Sequence, residues 1–190
     1  FIRILRGSGL NGMVSFDQRT NLQNINLIRP LLKFSKKNLE HITKKVFKNY
    51  VEDPSNKNDQ FKRVKVRNFI KNLELEGLDN DKFNLTIKNL RFANDSIKYF
   101  VEKNLKDNST ISNINNFIIL NKNFFLQPEE VVFRSLTEVL KGVGKKYYPV
   151  RGKKIDNLIY QIKNDNSFMT TLGNCVIKKV NNSVIVSKER

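Results

Sequence analysis

The chain has 190 residues, 39% of them hydrophobic and 14 of them phenylalanine, enough to bury a core in one domain or two small ones. One cysteine (Cys175) excludes an internal disulfide framework and one histidine (His41) excludes a histidine metal cluster, so no metal site and a reducing, cytoplasmic setting are expected. Lysine plus arginine number 35 against 18 acids, a net charge of +17 that calls for a polyanionic partner. Nucleic acid is favoured over membrane because no amphipathic anchor stands out, and no apolar run approaches the length of a transmembrane span.

In chain order, Phe1, Ile2 and Leu5 fall on one helical face that breaks at Gly7 and Gly9. The opening at Phe1, with neither an initiator methionine nor a signal-like segment, reads as a start in mid-protein. The apolar run 25–34 predicts a buried strand ending near Arg29 and Pro30. Ser35 predicts the N-cap of a helix through Asn49, with Leu39, Ile42, Val46 and Phe47 on one face. A Glu-Asp-Pro-Ser-Asn turn follows at 52–56, then a basic helix over about 58–76 that Gly77 stops. Strand, helix and turn in this order fit the end of an α/β domain.

The pattern changes after Gly77, which sets a domain boundary between 1–77 and 78–190. Residues 79–107 predict one long helix with Phe83, Ile87, Leu90, Ile97, Phe100, Val101 and Leu105 at helical spacing. Two short strands turning at 121–123 are expected within 115–126. Pro128 then opens a helix with Glu129 and Glu130 in its first turn and a stop at Gly142. A further helix over 152–164 carries Ile155, Leu158, Ile159 and Ile162, and a hairpin over 169–186 turns at Asn181-Asn182.

Four stretches carry candidate chemistry. In Leu5–Gly12, Gly7, Ser8 and Gly9 let backbone N–H groups approach an anion, with the Arg6 guanidinium beside them. The same residues also make an ordinary helix C-cap and turn. In the turn at 52–56, Glu52 and Asp53 can hold a cationic group, or Asp53 and Asn56 can simply satisfy turn backbone. Arg63 and Arg67 share a helix face that suits phosphate or plain solvent, while Phe61 and Val64 begin another face. In 141–154, Lys145, Lys146, Arg151, Lys153 and Lys154 interleave with Tyr147 and Tyr148. That pattern belongs to RNA recognition, or to an interhelical loop with its tyrosines packed inward.

The order of the pieces is more specific than any one of them. "RILRGSGLNGM", "LIRPLLKFSKKNLE" and "VEDPSNKNDQFKRVKVR" resemble the second half of the catalytic domain of tRNA(Ile)-lysidine synthetases. The stretch from "PEEVVFRSLTEVL" to "FMTTLGNCVIKK" is similar to the domain that follows in alphaproteobacterial-type members. The resemblance implies the C-terminal part of a Rossmann-like PP-loop (ATP-pyrophosphatase-type) domain. A mainly helical α+β tRNA-binding domain ending in a β-hairpin would follow it. It implies an ATP-dependent ligase, with magnesium, that adenylates carbon 2 of the wobble cytidine in an isoleucine tRNA bearing CAU. The lysine ε-amine then displaces AMP to give lysidine.

By the same resemblance, Arg6, Gly7, Ser8 and Gly9 match the arginine-glycine segment near nucleotide and target base, and Arg29 matches the arginine of "RPLL". Glu52, Asp53, Ser55 and Asn56 belong to the acidic turn beside the active site. Arg63 and Arg67 lie on the basic helix after it, where Val64 stands in place of a frequent asparagine. The family's Ser-Gly-Gly-x-Asp-Ser loop for ATP phosphates does not occur in these 190 residues. The chain is therefore expected to be a truncated piece or one half of a split enzyme, completed by an N-terminal half or by a homo-oligomer, and not to bind ATP productively alone. A competing reading, from charge alone, is a non-catalytic basic RNA-binding protein.

Overall fold

The computed structural model describes residues 1–14, 18–22, 25–112 and 117–189. They form two compact units, Phe1–Asn94 and Asp95–Arg190.

In the first unit, a short 3-10 turn (Ile4–Arg6) leads to α1 (Leu10–Val14) and a two-stranded antiparallel ribbon, β1 (Arg19–Leu22) with β2 (Ile25–Ile28). The strand expected in 25–34 is present but shorter, and it is exposed rather than buried. Its partner in the sheet is β1, and a two-stranded ribbon has too few neighbours to bury a face. After Pro30–Lys33, in 3-10 conformation, α2 (Lys36–Phe47) begins as predicted: the Ser35 hydroxyl accepts the Asn38 N–H at 3.1 Å. Its apolar face, with Ile42, Val46 and Phe47, is exposed.

Pro54–Lys57 makes another 3-10 turn, and α3 (Lys62–Leu75) follows. Val64 and Val66 are its buried residues, so valine at 64 occupies an apolar site. Its end is the predicted glycine stop. Gly77 takes φ 95°, its N–H donates to the Glu74 carbonyl, and the Leu78 N–H reaches back to Leu73 at 2.8 Å. The long helix α4 (Asn80–Asn108) begins with the Asp79 side chain accepting the Asp81 N–H at 2.8 Å. Phe83, Ile87 and Leu90 are half-buried as their spacing requires, whereas Phe100 faces outward.

The second unit is richer in strand than expected. Its five-stranded antiparallel sheet has the order β3-β4-β7-β6-β5, from β3 (Ser109–Ser112), β4 (Phe117–Leu120), β5 (Phe168–Leu172), β6 (Cys175–Val180) and β7 (Ser183–Lys188). The expected terminal hairpin is β6–β7, turning at Asn181 with φ 53°. A second hairpin, β5–β6, turns at Gly173-Asn174. The second strand expected in 115–126 is instead a 3-10 turn, Lys122–Leu126. There the Asn121 side chain accepts the Phe124 N–H at 3.1 Å and Phe124 is driven into the core. Asn115 and Asn116, at the start of that stretch, lie outside the described residues.

Helices α5 (Glu129–Gly144) and α6 (Gly152–Asn164) complete the layer over this sheet. The core joins Leu136, Leu140, Ile155 and Leu158 from the helices to Cys175, Ile177, Val184 and Val186 from alternate positions of β6 and β7. Each leucine, isoleucine or valine among them contributes about 1.5–3 kcal/mol when fully buried. One polar cluster lies within it: Asn104 donates to the Phe124 carbonyl at 3.3 Å and to the Ser135 hydroxyl at 3.1 Å. Helix α5 runs past the expected stop at Gly142, which is not left-handed, and ends where Lys145 adopts φ 49°.

Candidate functional site

In the first unit, the glycine segment is a turn before it is anything else. Gly7 takes φ 66° as the C-cap of the 3-10 turn, with its N–H on the Ile4 carbonyl and the Ser8 N–H on the Arg3 carbonyl, both at 2.9 Å. Two of the N–H groups expected to face an anion are thus engaged by the backbone. Arg6 is exposed beside them, and Arg3 braces the segment by donating to the Gly12 carbonyl. Arg29 spans the ribbon: its guanidinium donates to Thr20 Oγ1 at 2.8 Å and its N–H to the Gln18 carbonyl at 2.8 Å.

The acidic turn combines cap and charge. Asp53 accepts the Ser55 N–H at 2.9 Å, and the Asn56 N–H closes onto the Asp53 carbonyl at 3.0 Å. The hydrogen bonds from Ser55, backbone first and hydroxyl second, hold the Asp53 carboxyl below its ordinary pKa, and the Arg63 guanidinium adds a smaller pull. Asp53 is therefore an exposed, ionised carboxylate at neutral pH, electrostatically joined to the first turn of the basic helix. Arg63 also sits over the Phe61 ring, 5.6 Å from its centroid. Glu52 and Asn56 are exposed and Ser55 is half-buried.

The shared face of Arg63 and Arg67 opens onto a cavity of about 870 Å³. Arg3, Lys33 and Arg91 line it too, giving five cationic side chains and no carboxylate among the described residues, with Phe1 and Phe83 stacked at 5.5 Å in its wall. A cationic, partly apolar recess of this size suits a phosphate-bearing or nucleotide ligand. Arg6, the glycine segment, Arg29 and the acidic turn do not line it. Among the described residues, no three His, Cys, Asp or Glu side chains come together to hold a metal ion. Arg3, Lys33 and Arg91 were not identifiable as partners of Arg63 from spacing. Arg91 alone left a signal, as a cation within the seam of Phe83, Ile87 and Leu90.

In the second unit, Lys145, Lys146 and Arg151 are exposed in the α5–α6 loop, and Tyr147 and Tyr148 stand out from it at 62% and 75% exposure. The inward-packed alternative for these tyrosines is overturned, because the core is closed by Val150 on one side of the loop and Gly144 on the other.

Residues 1–74 match the PP-loop domain family. Over 189 residues the chain is 26% identical to the tRNA(Ile)-lysidine synthase of Wolbachia sp. subsp. Brugia malayi (strain TRS), a match taking in 99% of this chain and 44% of the relative. The chain is thus similar to tRNA(Ile)-lysidine synthases along nearly its whole length. The tRNA(Ile)-lysidine synthase of Anaplasma marginale (strain St. Maries) is 28% identical over 176 residues, 92% of this chain and 38% of the relative. That of Haemophilus influenzae (strain PittGG) is 39% identical over 70 residues, 37% of this chain and 16% of the relative. The chain thus spans less than half the length of these tRNA(Ile)-lysidine synthases. Among the described residues, no helix is long and apolar enough to cross a membrane.

Proposed function

We propose that the chain is part of a tRNA(Ile)-lysidine synthase, an ATP-dependent ligase that joins lysine to carbon 2 of the wobble cytidine of tRNA(Ile) with a CAU anticodon. The observation that carries this reading is the similarity to such enzymes across 99% of the chain, with residues 1–74 in the PP-loop domain family. Charge alone would suit any RNA-binding protein. It would not account for a PP-loop match in the same chain as the basic helix and the acidic turn.

In this reading, residues 1–77 belong to the catalytic domain and 78–190 to a tRNA-binding domain. ATP activates the cytidine by adenylating the oxygen on carbon 2 with release of pyrophosphate, so that AMP departs with that oxygen when the lysine ε-amine attacks carbon 2 and gives up a proton. Arg6, with Gly7, Ser8 and Gly9, belongs to the wall near nucleotide and target base, and Arg29 fixes the ribbon beside it. The ionised Asp53, with Glu52, Ser55 and Asn56, attracts the lysine substrate's ammonium group. Arg63 and Arg67, within a recess lined by five cations, take RNA phosphates, as do Lys145, Lys146 and Arg151. The 190 residues by themselves make no lysidine on this reading, since no Ser-Gly-Gly-x-Asp-Ser segment occurs in them.

The test uses the full-length protein with ATP, labelled lysine and a tRNA(Ile) transcript bearing CAU. Label should enter the tRNA with release of AMP, and Asp53→Asn should raise KM for lysine well beyond any loss of tRNA affinity. No incorporation by the full-length protein would end the ligase reading, and equal small effects of Asp53→Asn on both substrates would return the turn to a structural role.

A further inference from the structure

We propose that the α5–α6 loop is a platform for unpaired nucleotides, with Tyr147 and Tyr148 each stacking one base and the surrounding cations holding the phosphates. The proposal deepens the reading of RNA as partner and rests on it.

The tyrosines are displayed, not frayed. Upstream, Gly144 is buried so closely that a Cβ there would lie 2.1 Å from the Gly173 carbonyl oxygen. Lys145 turns left-handed at φ 49°, and the Lys146 N–H donates to the Lys141 carbonyl at 3.3 Å. Downstream, Val150 packs on the core and against Gly173, and Gly152 lies against the Phe133 ring. The loop is anchored at both ends, and the rings between the anchors add nothing to the core. Large aromatic side chains held in water by an ordered backbone have a contact surface to offer.

The ring geometry selects the ligand. The centroids are 4.8 Å apart and the planes cross at 83°. Consecutive bases in a duplex are parallel and cannot lie on two perpendicular rings at once. Nucleotides splayed out of a loop or single strand can, one base on each free face. Within 141–154 there are six lysines and arginines and no acid, so the loop's own charged side chains all attract the backbone between such bases.

The test measures binding of the chain to a labelled single-stranded RNA dodecamer, to the matching duplex and to tRNA(Ile), over a salt series. Tyr147→Ala with Tyr148→Ala should weaken single-strand and tRNA binding by about tenfold or more, leave duplex binding within about twofold, and keep the salt slope. The paired Tyr→Phe variant should bind as wild type, which also guards against a folding artefact. Crosslinking of 4-thiouridine RNA should mark residues 146–151. Equal loss on duplex and single strand, an unchanged affinity in the Ala variant, or crosslinks confined to other segments would each overturn the platform while leaving RNA binding intact. Failure of the wild-type chain to bind any of the RNAs would remove the underlying reading instead.

Discussion

Gly142 and Gly144 lie two residues apart at the end of α5, and the same substitution should move stability in opposite directions at the two positions. A Cβ on Gly142 meets nothing within 4 Å, so Gly142→Ala gains helix propensity and reduces the freedom of the unfolded chain, together about 0.5–1 kcal/mol of stabilisation. A Cβ on Gly144 would stand 2.1 Å from the Gly173 carbonyl oxygen and 3.2 Å from Cys175 Sγ. Neither neighbour yields easily. The carbonyl belongs to a turn in which Gly173 already takes φ 69°, and Cys175 is fully buried with its thiol 3.4 Å from the Leu140 carbonyl. Overpacking of that kind costs about 1–3 kcal/mol, more where backbone must move, which outweighs the propensity gain. Urea denaturation followed by circular dichroism should therefore show Gly144→Ala less stable by about 2 kcal/mol and Gly142→Ala slightly more stable. For a domain of this size that is a loss of about 8–16 °C in Tm against a gain of a few degrees. Equal stability of the two variants would refute the close approach of α5 to the β5–β6 turn, and with it the anchor of the tyrosine loop.

Arg63→Ala with Arg67→Ala should flatten the dependence of log tRNA affinity on log salt by about one unit for each phosphate no longer neutralised, and an unchanged slope would count against the cationic cavity as an RNA surface. Asp53 has a folded pKa below its ordinary value, so its stabilising contribution is present at neutral pH and is lost as pH falls through the depressed value. In an NMR titration, Ser55→Ala should raise that midpoint more than Arg63→Ala, because the hydroxyl bond outweighs the arginine; the reverse order would overturn the account.

Much of the helical layer was legible because its signals are local. Ser35 caps α2 through one side-chain bond, Gly77 ends α3 through a left-handed turn, and Ile155, Leu158 and Ile162 repeat at helical spacing in α6. The strands were less legible. Residues 25–28 look like a buried strand because burial depends on what lies opposite, which an apolar run does not state. Residues 124–126 form a short apolar, aromatic run that a strand would also show, yet the Asn121 side chain closes a turn and sends Phe124 inward. β3 begins directly where α4 ends, and Ser109 gives no break in composition to mark the change. For the candidate sites, the charge of Arg63 and Arg67 was readable, but the company of Arg3, Lys33 and Arg91 needed the fold.

The acidic turn shows why a structural and a functional role need not compete. Asp53 meets the demands of a cap, since it accepts from Ser55 and its carbonyl closes the turn on Asn56. An ionised carboxylate has about four acceptor sites, however, and two donors from Ser55 do not exhaust them. The same bonds that shape the turn also lower the pKa, so capping makes the negative charge more secure and orients the group that carries it. Asparagine can repeat the cap with its amide oxygen but cannot repeat the charge. Asp53→Asn therefore separates the two roles: fold retained and lysine use impaired is the signature of the charge, and both retained is the signature of the cap alone.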